Sequence, residues 1–244
     1  MRAFLREVAA HPLPHGRGFV TKPRASASGQ RWLSSFSLLF LLVLAAATAM
    51  AADSGRIVYT KVFPGSTPAY ASITIDRSGA ATYKEAADDD DPEKFQIEDA
   101  ATKQIFDLAD RLDHFKRPLE SGLKVANMGM KTFHWDDGAA GTEAKFNHTN
   151  DENATAMQDW FERIAECERL ALDLRRAIRH DKLGVNQAVI NVQAEWDRKR
   201  LIGSTQFLPL LDQVAKNETY IHMARERAAQ LVDAIRASDK STVQ

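Results

Sequence analysis

The sequence predicts an α+β fold: an antiparallel sheet built from two hairpins, two amphipathic helices on one face of that sheet, and an all-helical C-terminal segment. Three observations carry the prediction. Runs of β-branched and aromatic residues, broken by turn residues, occupy 56–85 and 125–149. The stretch from Asn153 to His180 keeps its apolar residues at steps of three or four. Beyond Gly184 every periodic stretch is helical.

In chain order, RIVYTKVF (56–63) and YASITID (70–76) are strands separated by the loop signal PGSTP. Asp76-Arg77-Ser78-Gly79 is a tight turn in which Gly79 is free to take positive φ, and AATYKE returns as the partner strand. Ile73, Ile75 and Tyr83 are the expected core residues of this first hairpin. From Glu98 to Phe115 a helix is expected, with Asp99 as cap and Ile105, Phe106, Ala109 and Leu112 as its stripe. The second hairpin is VANMGMKTFHWDD, GAAGT, EAKFNHT. Pairing Asp136 with Glu143 sets Phe133 opposite Phe146, with Trp135 on the same face and Thr132, His134 and Asn147 on the other.

The central helix, Asn153–His180, carries Met157, Trp160, Phe161, Ile164, Cys167, Ala171, Leu174 and Ile178 on its apolar side. Asn150 or Asn153 is the expected cap and Gly184 the expected stop. Trp160 and Phe161 point about 100° apart, so Phe161 and Ile164 are assigned to the hairpin face and Trp160 and Cys167 to the tail. The tail places Val185, Ala188, Val189, Val192 and Trp196 on one stripe, breaks at Gly203, and resumes with Phe207, Leu210, Leu211 and Val214. Asn217-Glu218-Thr219 interrupts it before Tyr220, Ala224, Ala228, Leu231 and Ile235. The resulting division is an α+β module at 52–180, a C-terminal helical hairpin at 181–238 packed on the central helix, and a frayed tail at 239–244.

Residues 1–51 are set aside as a cleaved signal peptide. LSSFSLLFLLVLAAATAMAA (33–52) has no charge, Arg24 and Arg31 precede it, and Ala49-Met50-Ala51 is a small-x-small cleavage site. Cleavage after Ala51 is expected, with Ala47-Thr48-Ala49 as the competing site and Val20 as an alternative translation start. The competing role for 33–52 is an uncleaved membrane anchor, since about 20 apolar residues span a bilayer. The expected location is therefore the periplasm or extracellular space, without stable membrane association after cleavage.

The leader holds six of the 32 Lys+Arg and one of the 33 Asp+Glu, so residues 52–244 carry 26 basic and 32 acidic side chains, a net of −6. No long basic run remains, which argues against a nucleic-acid partner. Cys167 is the only cysteine, and Glu166 and Glu168 flank it. It is assigned to the core and not to catalysis.

From about Ala71 to Glu168, half of the processed chain, the sequence resembles a loose group of bacterial exported domains of unknown function. The resemblance lies in ITIDRSGAATY, then IFDLADRLDHF, then a further hairpin ahead of WFERI. It implies export and this order of elements, and it implies no activity.

The best candidate for chemistry is His134, Asp136, Asp137 and His148 around the second hairpin, because imidazoles and carboxylates are the ligands of hydrolytic zinc. The hairpin register puts His134 and His148 on opposite faces, against convergence. Asp88 to Asp91 lacks the glycine at the sixth position that a calcium loop needs. His114, His180-Asp181 and His222, with Glu218 and Glu226 a turn away, suit helix ends and surface pairs. Asn147, Asn153 and Asn217 fit the glycosylation pattern by chance spacing. There is no Gly-x-Ser-x-Gly, phosphate loop or dinucleotide fingerprint. No catalytic, metal or cofactor residue is therefore assigned. The expected function is a non-enzymatic exported binding or interaction module for a protein or small ligand. A metal-assisted hydrolase at His134 and a membrane-tethered envelope scaffold are the alternatives.

Overall fold

The computed structural model describes residues 55–138 and 141–242. Residues 1–54, 139–140 and 243–244 lie outside that range, so the expectations on cleavage and anchoring concern residues not described. Among the described residues no helix is long and apolar enough to cross a membrane.

The sheet has six antiparallel strands: β1 Arg56–Val62, β2 Tyr70–Asp76, β3 Ala80–Lys84, β4 Glu93–Gln96, β5 Met130–Asp136 and β6 Thr142–Phe146. Their order is β4-β3-β2-β1-β5-β6. Helix α1 (Asp99–Arg111) and the first half of α2 (Glu152–His180) lie on one face. Strict alternation puts Ile57, Tyr59, Ile73, Ile75, Tyr83, Phe133, Trp135 and Phe146 inward, all buried, while Thr60, Ser72, Thr74, Thr82 and His134 face out. At the β2–β3 turn Gly79 has φ +78 and donates to Asp76 O at 3.0 Å. An added Cβ there would stand 2.6 Å from Ile97 O, so both its backbone angle and its close neighbour demand glycine.

Several sequence expectations need correction. Strand β4 was not anticipated; EKFQ has a single apolar residue and is specified only by its ladder to β3, where Tyr83 faces Glu93 and Ala81 faces Phe95. The second hairpin is shifted by two residues: Glu143 pairs with His134, not Asp136, and Phe133 faces Ala144. A shift of two preserves every face, so Phe133 and Phe146 still meet, diagonally, with ring centroids 5.2 Å apart. Strand β5 begins at Met130 and not near Val125. The preceding stretch is irregular because Asn147 Oδ1 accepts from Met128 N–H at 2.7 Å and its Nδ2 donates to Ala126 O at 3.0 Å.

Helix α1 starts from Glu98, which makes no side-chain cap, rather than from an Asp99 cap. It ends at Arg111, before a three-residue turn, Asp113–Phe115, whose φ values are all positive (50, 50 and 64°). This left-handed turn drives Phe115 into the core and stacks His114 on Trp135 at 4.1 Å. The cap of α2 is Asp151, not an asparagine; its Oδ1 accepts from Asn153 and Ala154 N–H at 2.9 and 3.1 Å. Gly184 is not a left-handed stop but precedes the next helix with φ −69.

The tail comprises three helices and not the two of a hairpin: α3 Val185–Asp197, α4 Leu208–Lys216 and α5 His222–Thr242, with a 3-10 turn at Ser204–Phe207. Helix α5 runs on through the stretch expected to fray. Leu170, Ala171, Leu174 and Ala177 of α2 join Val189, Phe207, Leu211, Tyr220, Leu231 and others in a second core. Phe161 is fully buried and stacks on Tyr59 at 4.8 Å. Trp160 is half-buried against the sheet core, with Arg163 4.6 Å over its ring. Of the two residues assigned to the tail, Cys167 makes the polar contact with it.

Lys131 points inward on β5 and is 2 % exposed. Its Nζ donates to the carbonyls of Met128, Gly129 and Asn147 at 3.4, 3.2 and 2.8 Å, which ties the irregular stretch to the end of β6. Burial lowers its pKa.

Phe161→Ala is expected to lower stability by about 3–5 kcal/mol through the cavity it leaves, whereas His134→Ala on the outer face should change it by no more than about 0.5 kcal/mol. Urea unfolding of both variants measures the difference, and a neutral Phe161→Ala would break this packing scheme.

Candidate functional site

The structure does not gather the histidine set. His134 stands on the outer face between Val58 and Glu143, with its ring against Gly141. His148 lies past the end of β6, where its carbonyl accepts from Ser121 N–H at 2.8 Å. Asp136 bonds Gly138 N–H and Arg56, and both hold its carboxyl below the ordinary range. Asp137 is exposed at the turn. His180 is exposed at the end of α2, and His222 lies 3.8 Å from Glu226 on the surface. His114 is held by Asp110 at 2.9 Å, closing α1. Among the described residues no group of three or more His, Cys, Asp or Glu side chains is arranged to hold a metal.

Among the described residues, three clefts are candidates. One of about 350 Å³ at the end of α2 is lined by His180 and by Arg175, Arg176 and Arg179, and a helix C-terminus favours such arginines in any case. Arg175 and Arg176 are already paired with Glu93 and Asp173.

A second, of about 620 Å³, lies at the seam between sheet module and tail, where Ile97, Asp99, Trp196, Lys199, Leu201 and Asp239 line it. One wall, residues 200–206, is clamped by polar contacts. The Glu98 carboxylate accepts from Gly203 and Ser204 N–H, both at 3.0 Å, and so caps the 3-10 turn. Cys167 Sγ accepts from Ile202 N–H at 3.2 Å; burial pushes its thiol up to about 12, which leaves it a poor nucleophile. Glu168, 2 % exposed, accepts from Gln206 Nε2 at 2.7 Å. Desolvation raises its pKa to about 7, with the Gln206 bond and Arg175 opposing and Glu93 adding to the rise.

The third cleft, about 260 Å³, opens between the inner sheet surface and α2. Tyr59, Lys61, Ala71 and Tyr83 form its sheet side, Glu162, Ala165, Glu166 and Arg169 its helix side, and Ser66–Pro68 its end. The helix residues recur at i, i+3, i+4 and i+7, so they share one face. The loop is braced by Ser66 Oγ, which bonds Phe63 O and Pro68 O at 2.8 and 2.6 Å. Lys61 Nζ meets Glu162 Oε1 at 2.9 Å, and Arg169 grips both oxygens of Glu166 through Nη2 at 2.6 and 2.8 Å.

Chemistry, not size, selects among these clefts. Four buried side-chain polar atoms lack a hydrogen-bond partner among the described residues: Tyr59 Oη, Thr102 Oγ1, Arg163 Nε and Asn186 Oδ1. Of these four residues, only Tyr59 lines any of the three clefts. A buried hydroxyl without a partner costs about 1–3 kcal/mol, and a ligand reaching the floor of the 260 Å³ cleft would recover that loss. Burial and the nearby Glu162 raise the Tyr59 pKa, so its hydroxyl stays protonated and able to donate.

Tyr59 and Lys61 are legible in the sequence as inward residues of β1 by alternation with Ile57. No sequence signal marks the hydroxyl as unpartnered, because that depends on what four other elements place around it. No protein-family model matches the chain, and no curated protein or solved structure is detectably similar to it. The functional reading rests on this geometry.

Glu168 generates a pH dependence. Its folded pKa of about 7 lies above the ordinary 4.5, so its contribution to stability is complete below pH 4.5 and is lost as pH rises through 7. The loss by pH 8 is on the order of 3 kcal/mol. Glu168→Gln should therefore be more stable than the wild type at pH 8 and gain nothing at pH 4. Urea titrations at the two pH values test this, and an equal offset at both would show that the carboxylate does not titrate with folding.

Proposed function

We propose that the chain is an exported, non-catalytic binding module. Residues 1–51 direct export, processing leaves Ala52 at the new N-terminus, and the folded part takes a small ligand in the cleft between β1, the 63–69 loop and α2. The observation that carries this reading is the Tyr59 hydroxyl, buried without a partner on the floor of a cleft with charged walls. Small-molecule sites have this character: a concave surface, apolar in part, with a few polar groups placed to fix orientation. The export half is supported by the uncharged run 33–52 and its Ala-x-Ala site.

N-terminal sequencing of the secreted or periplasmic protein should return Ala52, and Ala49→Leu combined with Ala51→Leu should block processing. Full-length chain that stays in the membrane fraction through carbonate washing would replace export with tethering.

For the binding half, native mass spectrometry of protein recovered from its own compartment should show a bound small molecule in the wild type and none in Tyr59→Phe. Wild-type protein recovered without a bound species would count against the reading.

A further inference from the structure

The charge pattern of the Tyr59 cleft narrows the ligand, given the binding reading above. Its ionic groups are two cations, Lys61 and Arg169, and two carboxylates, Glu162 and Glu166, and each cation is closed onto one carboxylate. The sum is neutral, so the cleft has no net pull on an ion. An ion entering it would give up hydration without gaining an unmatched countercharge.

The same groups keep hydrogen-bonding capacity beyond their pairs. Lys61 has three N–H donors and spends one on Glu162. The Arg169–Glu166 contacts use Nε and Nη2, leaving Nη1 outside that pair. Glu162 Oε1 accepts from Lys61 and from Gln158 Nε2 at 3.1 Å, and a carboxylate has about four acceptor positions. Tyr59 adds a hydroxyl that can donate or accept. Donors and acceptors thus line one small space together, and several are charged groups, which make the stronger kind of hydrogen bond.

A ligand that satisfies both kinds at once without net charge is a polyhydroxylated one, since each hydroxyl donates once and accepts as well. The volume, about 260 Å³ or roughly eight or nine waters, has room for a single pyranose. The Tyr59 hydroxyl is buried, and the Lys61–Glu162 pair that lines the same cleft has side chains 31 and 39 % exposed and long enough to move aside for a ligand.

We propose that this cleft binds a neutral polyhydroxyl ligand of monosaccharide size, held through Tyr59, Lys61, Glu162 and Arg169. The test uses the processed wild-type chain, Tyr59→Phe and Lys61→Met, with folding of each verified by circular dichroism. Thermal shift and titration calorimetry are run with D-glucose, D-galactose and N-acetylglucosamine, against glycine, acetate and inorganic phosphate. At least one sugar should raise the wild-type Tm, and that shift should vanish in Tyr59→Phe and weaken at least about tenfold in affinity in Lys61→Met. Tyr59→Phe should melt higher than wild type without ligand, because the orphaned hydroxyl is gone. A Tyr59-dependent shift with glycine, acetate or phosphate instead of a sugar overturns the ligand class and leaves the binding reading standing. A sugar shift that persists in Tyr59→Phe places binding elsewhere and overturns the site. If no probe shifts the wild type, a bound species seen by native mass spectrometry overturns the ligand class alone, and the absence of one overturns both.

Discussion

One helix is longer than the surface it covers. Helix α2 has 29 residues, roughly 43 Å at 1.5 Å per residue. Six strands about 4.8 Å apart span only about 24 Å, and a seven-residue strand is about as long. Met157, Phe161, Ile164 and Cys167 pack in the sheet core, Leu172 still lies against it and Arg175 reaches Glu93 of β4, whereas Leu170, Ala171, Leu174 and Ala177 face away into a second core. Leu170, Ala171, Leu174 and Ala177 would be left in water, so the three tail helices close on them. The second core exists because the first cannot use the whole helix.

The join between the cores falls at Cys167 and Glu168, consecutive residues that both contact the 200–206 segment. The chain solves two buried-charge problems differently. Lys131 is surrounded by three backbone carbonyls, which suit an ammonium and hold it in place. Glu168 has a neutral amide as its direct partner, so near neutrality it resists ionising. The seam is thus most comfortable when Glu168 carries a proton, while Glu98, half-buried, clamps the same segment by accepting from two backbone amides. The left-handed turn at Asp113–Phe115 is strain of another kind. Its cost, about 1–2 kcal/mol per residue, is offset by burying Phe115 and stacking His114 on Trp135.

The cleft at Tyr59 follows from the same geometry. Where α2 crosses the inner surface toward the 63–69 loop, small residues (Ala71, Ala165) leave space that larger side chains would have filled. The charged pairs line the same cleft as a tyrosine whose ring is packed against Phe161 but whose hydroxyl has no hydrogen-bond partner among the described residues. Packing satisfies one end of this side chain and leaves the other open.

Much of this was readable from residue order. The period-2 and helical patterns located five of six strands and the two helices on the sheet, with the inward set Ile73, Ile75, Tyr83, Phe133, Trp135, Phe146, Phe161 and Ile164 all buried. Even the register error in the second hairpin left these faces intact, because side-chain direction depends on parity and a shift of two does not change it. Tertiary structure alone decided the rest. Strand β4 has no apolar pattern and exists through its ladder to β3. Asp151 was chosen over Asn150 and Asn153 by where the chain enters the helix. Lys131 and Glu168 lie inside because the Asn147 carbonyl and the Gln206 amide, from distant segments, help to receive them, and Tyr59 Oη is orphaned because no described segment does. A local pattern states which way a side chain points; whether a polar group finds a partner there depends on residues far away in sequence, and only the folded chain brings them together.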